Sequence, residues 1–134
     1  MKPNRRLTPV LLAVAATLLV FSAASAYTSS PFVGHWVAID SSDGSDIRLT
    51  FGGGHLGPLN ITWTESYFSF CGGQPGIFRG TGSSNEDNPN VLFSTMKLRC
   101  FTTGRSGQFD ITFMYDSATN TITDGTDTWY RPGH

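Results

Sequence analysis

Residues 109–115, FDITFMY, constrain the fold of this chain more than any other stretch. Phe109, Ile111, Phe113 and Tyr115 alternate with Asp110, Thr112 and Met114. Alternation with a period of two puts the apolar side chains on one face of an extended strand and leaves the other face to water. The pattern recurs upstream. Ile47, Leu49 and Phe51 alternate with Asp46, Arg48 and Thr50, and Leu59, Ile61 and Trp63 alternate with Asn60, Thr62 and Thr64. Further strands are predicted over 32–39, 77–81 (weakened by Gly80) and 91–101. A final run goes from Ile122 to Arg131, and residues 67–71 either extend the third strand or begin another.

Turn residues separate these runs. CGGQPG at 71–76, GSSNEDNP at 82–89, GRSG at 104–107 and DSATN at 116–120 all carry Gly, Pro, Asn, Asp or Ser. No helical period emerges, and the only alanine after residue 38 is Ala118. The expectation is an all-β domain of seven or eight strands. Short links favour sequential hairpins, an up-and-down meander closing into a barrel, with a two-sheet β-sandwich as the alternative. Closure would also remove the strand edges that template aggregation. It would make the strand bearing Trp36 a neighbour of the one bearing Trp129, so that Arg131 could lie across Trp36; the alternative is two unrelated core tryptophans.

The first residues read as an export signal. Lys2, Arg5 and Arg6 precede an apolar stretch from Val10 to Phe21, and Ala24-Ser25-Ala26 is a small-residue cleavage site. The apolar stretch is shorter than the roughly 20 residues a spanning helix needs. The expected organisation is a signal peptide at 1–26 and one secreted domain at 27–134, released outside the cell, into a periplasm or onto a cell surface. Cleavage removes three of the nine basic residues and none of the ten acidic ones, leaving a net charge of −4. With no run of Lys or Arg in the remainder, nucleic acid and anionic membrane are not expected as partners. No later stretch is apolar enough to span a bilayer.

Cys71 and Cys100 are the two cysteines, both in the exported part. An oxidising compartment predicts a disulfide between them. A zinc site would need more ligands than these sulfurs and three scattered histidines, His35, His55 and His134, supply.

Gly34-His35-Trp36 on the first predicted strand resembles the G-x-W signature of the calycin superfamily, the lipocalins and their avidin-like relatives. That resemblance implies a barrel whose tryptophan closes one end beneath a basic residue of the last strand, and it would give Gly34, Trp36 and Arg131 structural roles. Over nearly its whole exported length the chain is also similar to a type of secreted bacterial all-β protein of uncharacterised role. The shared order is GHW (34–36), DGS (43–45), CGG (71–73), Cys100, YDSATNTITD (115–124) and WYR (129–131). This second resemblance implies a disulfide-linked secreted β-domain and no activity.

Few residues suggest chemistry. DSSDGSD, at 40–46, concentrates three aspartates around a glycine. Its spacing matches no calcium loop of the EF-hand type, whereas Ser42-Asp43-Gly44-Ser45 suits a tight type I′ hairpin. A loose cation contact by Asp40, Asp43 and Asp46 is the alternative; otherwise no metal or cofactor is expected. GGGHLG, at 52–57, meets the glycine spacing of a dinucleotide fingerprint but precedes Pro58 and a strand rather than a helix. No nucleophile elbow occurs, and nothing in the spacing pairs Glu65 with Glu86, so no catalytic role is expected. The aromatic load offers one positive lead. If Trp36, Trp63, Phe113 and Trp129 line an open mouth, a small hydrophobic ligand would bind there. The alternative is an extracellular structural or adhesion module that binds polysaccharide or protein.

Overall fold

The computed structural model describes residues 29–53 and 57–133; the segment read as a signal peptide, His55 and His134 lie outside the described residues. Eight strands follow in chain order: β1 (Gly34–Ile39), β2 (Asp46–Gly52), β3 (Leu59–Phe68), β4 (Gln74–Ser84), β5 (Val91–Cys100), β6 (Ser106–Asp116), β7 (Thr121–Thr123) and β8 (Thr128–Tyr130). Each pairs antiparallel with the next, and β8 returns to β1, giving a closed barrel. The meander is therefore observed, with eight strands, and the sandwich is not. One short 3₁₀ turn, Ser69–Cys71, ends β3.

Three details depart from expectation. First, the run from Ile122 to Arg131 is two strands. Asp124 accepts hydrogen bonds from the amides of Thr126 and Asp127, both at 2.9 Å, and Gly125 takes a positive φ of 92°, which turns the chain back. Second, Gly80 belongs to a long β4. A Cβ there would collide with the carbonyl of Thr95, so glycine lets β4 approach β5 closely.

Third, the β1–β2 link is not a type I′ turn, which needs positive φ at both central residues. Only Gly44 has it (φ 75°). The loop closes instead at Asp40, whose amide donates to the Ser45 carbonyl (2.9 Å) and whose carbonyl accepts from the Gly44 amide (2.8 Å). The carboxylate of Asp43 accepts from the Ser45 amide at 2.8 Å. The β5–β6 link, Cys100 to Arg105, repeats this design. Cys100 and Arg105 close it, Gly104 takes φ 68°, and the Thr103 hydroxyl caps the Arg105 amide. A loop without a single acid thus adopts the same shape, so the aspartates of DSSDGS are accounted for as turn residues.

The core follows the alternation. Inward positions include Trp36, Leu49, Phe51, Ile61, Trp63, Phe78, Leu92, Met96, Leu98, Phe113, Ile122 and Trp129, all buried. Outward positions carry Arg48, Arg79, Lys97, Arg99 and Asp110, all exposed. That is the reverse of a transmembrane barrel, whose apolar side chains face lipid. No helix among the described residues is long and apolar enough to cross a membrane.

One end of the barrel is sealed. Phe32 fills it, and the Arg131 guanidinium lies 3.8 Å from the centre of the Trp36 ring. Residues 31–33 run ahead of β1, and their three successive carbonyls are satisfied by side chains. Arg131 donates through Nη2 to Pro31 (2.9 Å) and through Nη1 to Val33 (2.8 Å); Trp36 donates through Nε1 to Phe32 (2.8 Å). Gly34 makes room for this arrangement: its φ is 124°, and a Cβ would collide with Nη1 of Arg131.

Candidate functional site

The opposite end of the barrel is a shallow, mainly polar mouth, with three buried aromatic rings beneath an acidic rim. Inward positions near this end of β3 and β4 place Trp63, Phe68 and Phe78 there as a packed trio. Ring centres are 5.1 Å apart for Trp63 and Phe78, and 5.4 Å for Phe68 and Phe78. A register shift in β3 between Glu65 and Phe68 turns Phe68 inward after Glu65. Asp40 arrives from the β1–β2 turn, and Asp124 and Asp127 from the β7–β8 turn. Together these residues line a depression of about 270 Å³. One flank is pinned by the Cys71–Cys100 disulfide, which ties the β3–β4 turn to the end of β5. Beside it, Arg105 stacks 4.2 Å over Phe70 and donates to the Phe70 carbonyl.

The carboxyls at the rim are unequal. Glu65 occupies an inward position of β3 and is buried. Burial pushes its pKa up to about 8, and the hydrogen bond with Asp40 and the Asp40 charge push the same way. Asp40 moves down, mainly because the Ser42 amide donates to it at 2.6 Å, and also because Glu65 hydrogen bonds to it. Both shifts favour a protonated Glu65 beside an ionised Asp40, the arrangement in which the Glu65 hydroxyl donates to the Asp40 carboxylate. Trp63 donates through Nε1 to Oε2 of Glu65 at 3.1 Å. Asp127 is also raised, first by burial and then by the charges of Asp124 and Asp40.

This arrangement has a measurable signature. Glu65 is raised in the folded state from an ordinary value of 4.5 to about 8, so the native state holds more protons than the unfolded state across that window. The contribution of Glu65 to stability then falls as pH rises from 4.5 to 8. Between pH 5 and 9 the wild type is expected to lose about 2 kcal/mol at this site, less than the whole shift because water at the mouth screens the charge. Glu65→Gln keeps a donor toward Asp40 and removes the loss. Urea midpoints at the two pH values test it; a wild type with no decline, or one that the variant reproduces, contradicts the assignment.

The residues anticipated as ligand contacts are dispersed. Trp63 lines the mouth. Phe113 and Trp129 are packed inside the barrel, each at 0% exposure, and Trp36 lies at the sealed end. Asp40, Asp43 and Asp46 do not converge: Asp40 turns to Ser42 and Glu65, Asp43 caps Ser45, and Asp46 is exposed on β2. Among the described residues no group of three or more His, Cys, Asp or Glu is placed to hold a metal ion. The sequence did carry a signal for Glu65, because the inward series Leu59, Ile61, Trp63 continues to it. The approach of Asp40, Asp124 and Asp127 depends on how the turns fold.

No protein-family model matches the sequence, and neither a curated protein nor a solved structure matches it.

Proposed function

We propose that the protein is a secreted, non-catalytic β-barrel of calycin-like character that holds a small hydrophobic ligand against the floor of its mouth. The observation that carries this reading is the depression itself, where Trp63, Phe68 and Phe78 meet a rim of carboxyls. The filled interior limits a ligand to the mouth, because the side chains below are closely packed. The rim selects against ligands that end in a carboxylate and in favour of those with a cationic or hydrogen-donating end. The Asp40–Glu65 pair, which hydrogen bonds to itself, speaks against glycoside hydrolysis in particular. Paired acids that hydrolyse a glycoside stand apart, with substrate between them. Export is supported by the disulfide.

Two apolar dyes with the same ring body, one cationic and one anionic, test the reading. The cationic dye is expected to quench tryptophan fluorescence saturably, at least tenfold more tightly than the anionic one, and Trp63→Phe should remove most of the quenching. If neither dye binds saturably, the mouth is not a ligand site.

A second reading, an extracellular module that binds polysaccharide, is favoured by the outer wall of β4 and β5. There Phe101, 60% exposed, stands beside three cations.

A further inference from the structure

Six basic residues remain after the expected signal cleavage, widely separated in sequence, and the barrel register gathers three of them. Arg79 on β4 pairs directly with Lys97 on β5, and Ile77 pairs with Arg99 on the next outward rung. All three cations point outward and are exposed. With Ile77 and Phe101 they line a shallow groove of about 560 Å³ on the barrel wall.

Like charges opposite each other on adjacent strands destabilise a sheet. The flanking strands offer no relief on these rungs. Thr62 of β3 stands opposite Arg79, while Gln108 and Ser106 of β6 stand opposite Lys97 and Arg99. The nearest carboxylate on the β6 side, Asp110, pairs with Thr95 one outward rung away and accepts the Thr95 hydroxyl at 2.7 Å. A chain with a net negative charge thus concentrates half of its cations on one wall, against its own stability. An external anion would offset that repulsion.

We infer that this wall is a docking surface for an anionic polysaccharide carrying carboxylate groups. The inference rests on the second reading above and supplies its chemistry; it is independent of the mouth. Guanidinium groups take carboxylates in pairs of hydrogen bonds. The ring of Phe101 and the side chain of Ile77 offer the apolar contact that the face of a sugar ring uses. Adjacent strands sit about 4.8 Å apart and outward residues along a strand about 7 Å apart, so the cations form a short ladder for a repeating anion. A single-sign groove of this kind also speeds capture of a polyanion at low salt.

The test is affinity electrophoresis of the exported protein in gels containing polygalacturonate, neutral dextran or no polymer. Polygalacturonate is expected to retard the protein in a salt-dependent way, with dextran giving no retardation. Lys97→Gln/Arg99→Gln should weaken the apparent affinity at least tenfold, with a thermal midpoint equal to or above wild type because a repulsion has been removed. Arg48→Gln, an exposed cation on β2, should change affinity less than twofold. Absence of retardation by polygalacturonate at low salt overturns the inference, as does an equal loss in Arg48→Gln. Tighter binding to an oligonucleotide or to phosphatidylglycerol vesicles than to polygalacturonate overturns it too. Retardation by dextran that survives Lys97→Gln/Arg99→Gln would keep the second reading and reject this surface.

Discussion

Replacing both cysteines by alanine is expected to lower the stability of the domain by about 3 to 4 kcal/mol. The bond joins positions 29 residues apart, and opening a loop of that length restores chain entropy to the unfolded state. Both sulfurs are buried, so alanine avoids adding a polar group to the core. The loss is a large share of the 5 to 15 kcal/mol typical of a domain. The bond also fixes the flank of the mouth, where the Phe101 amide donates to the Pro75 carbonyl at 3.0 Å. Urea unfolding with and without reductant should give the same difference as the double variant, and mass measurement should show two protons gained on reduction. A difference below 1 kcal/mol would mean that the bond is a passenger in a barrel held by its core alone.

At the sealed end, Arg131→Ala is expected to cost about 3 kcal/mol. It removes two charge-assisted hydrogen bonds, leaves the carbonyls of Pro31 and Val33 without partners, and strips the guanidinium from the face of Trp36. Arg131→Lys keeps the charge but not the planar fork that reaches two carbonyls at once, so it should recover no more than half of the loss. Equilibrium unfolding followed by tryptophan emission measures both. If lysine serves as well as arginine, charge and not geometry holds this end. If alanine costs under 0.5 kcal/mol, the stacking over Trp36 is ornamental.

The two ends of the barrel differ in how far they could be foreseen. The alternation of Phe109 to Tyr115 and of Ile47 to Phe51 fixes strands and inward faces without help from the rest of the chain. A tryptophan early in the domain and an arginine after the last strand suffice to suggest a neighbouring pair once closure is assumed. The mouth is different. Glu65 follows from its parity with Trp63, but its partner Asp40 stood out only as part of a turn-rich stretch or as a loose cation contact with Asp43 and Asp46, and Asp127 sat inside what looked like one continuous strand. Which of these meet depends on a four-residue loop, a register shift in β3 and an Asp-Gly turn, each a local choice that period-two patterning does not record. The wall of β4 and β5 is hidden for a similar reason. Arg79 and Lys97 are far apart in sequence, and only the register across the GSSNEDNP loop makes them opposite.

The closing seam of the barrel has a kinetic consequence. Every other ladder joins strands that are neighbours in sequence, so each can zip from its own turn at small entropic expense. The β1–β8 ladder has a single matched pair, Val37 and Tyr130, and the arginine that secures that side bonds to a residue 98 positions away. Ring closure is therefore expected last in folding, after seven local ladders have brought the ends within reach, and it fixes little backbone of its own. Opening of the ring is expected to begin at this seam, with Arg131 as its latch. Weakening the latch should speed opening of the ring while leaving the rate of assembling the open sheet nearly unchanged.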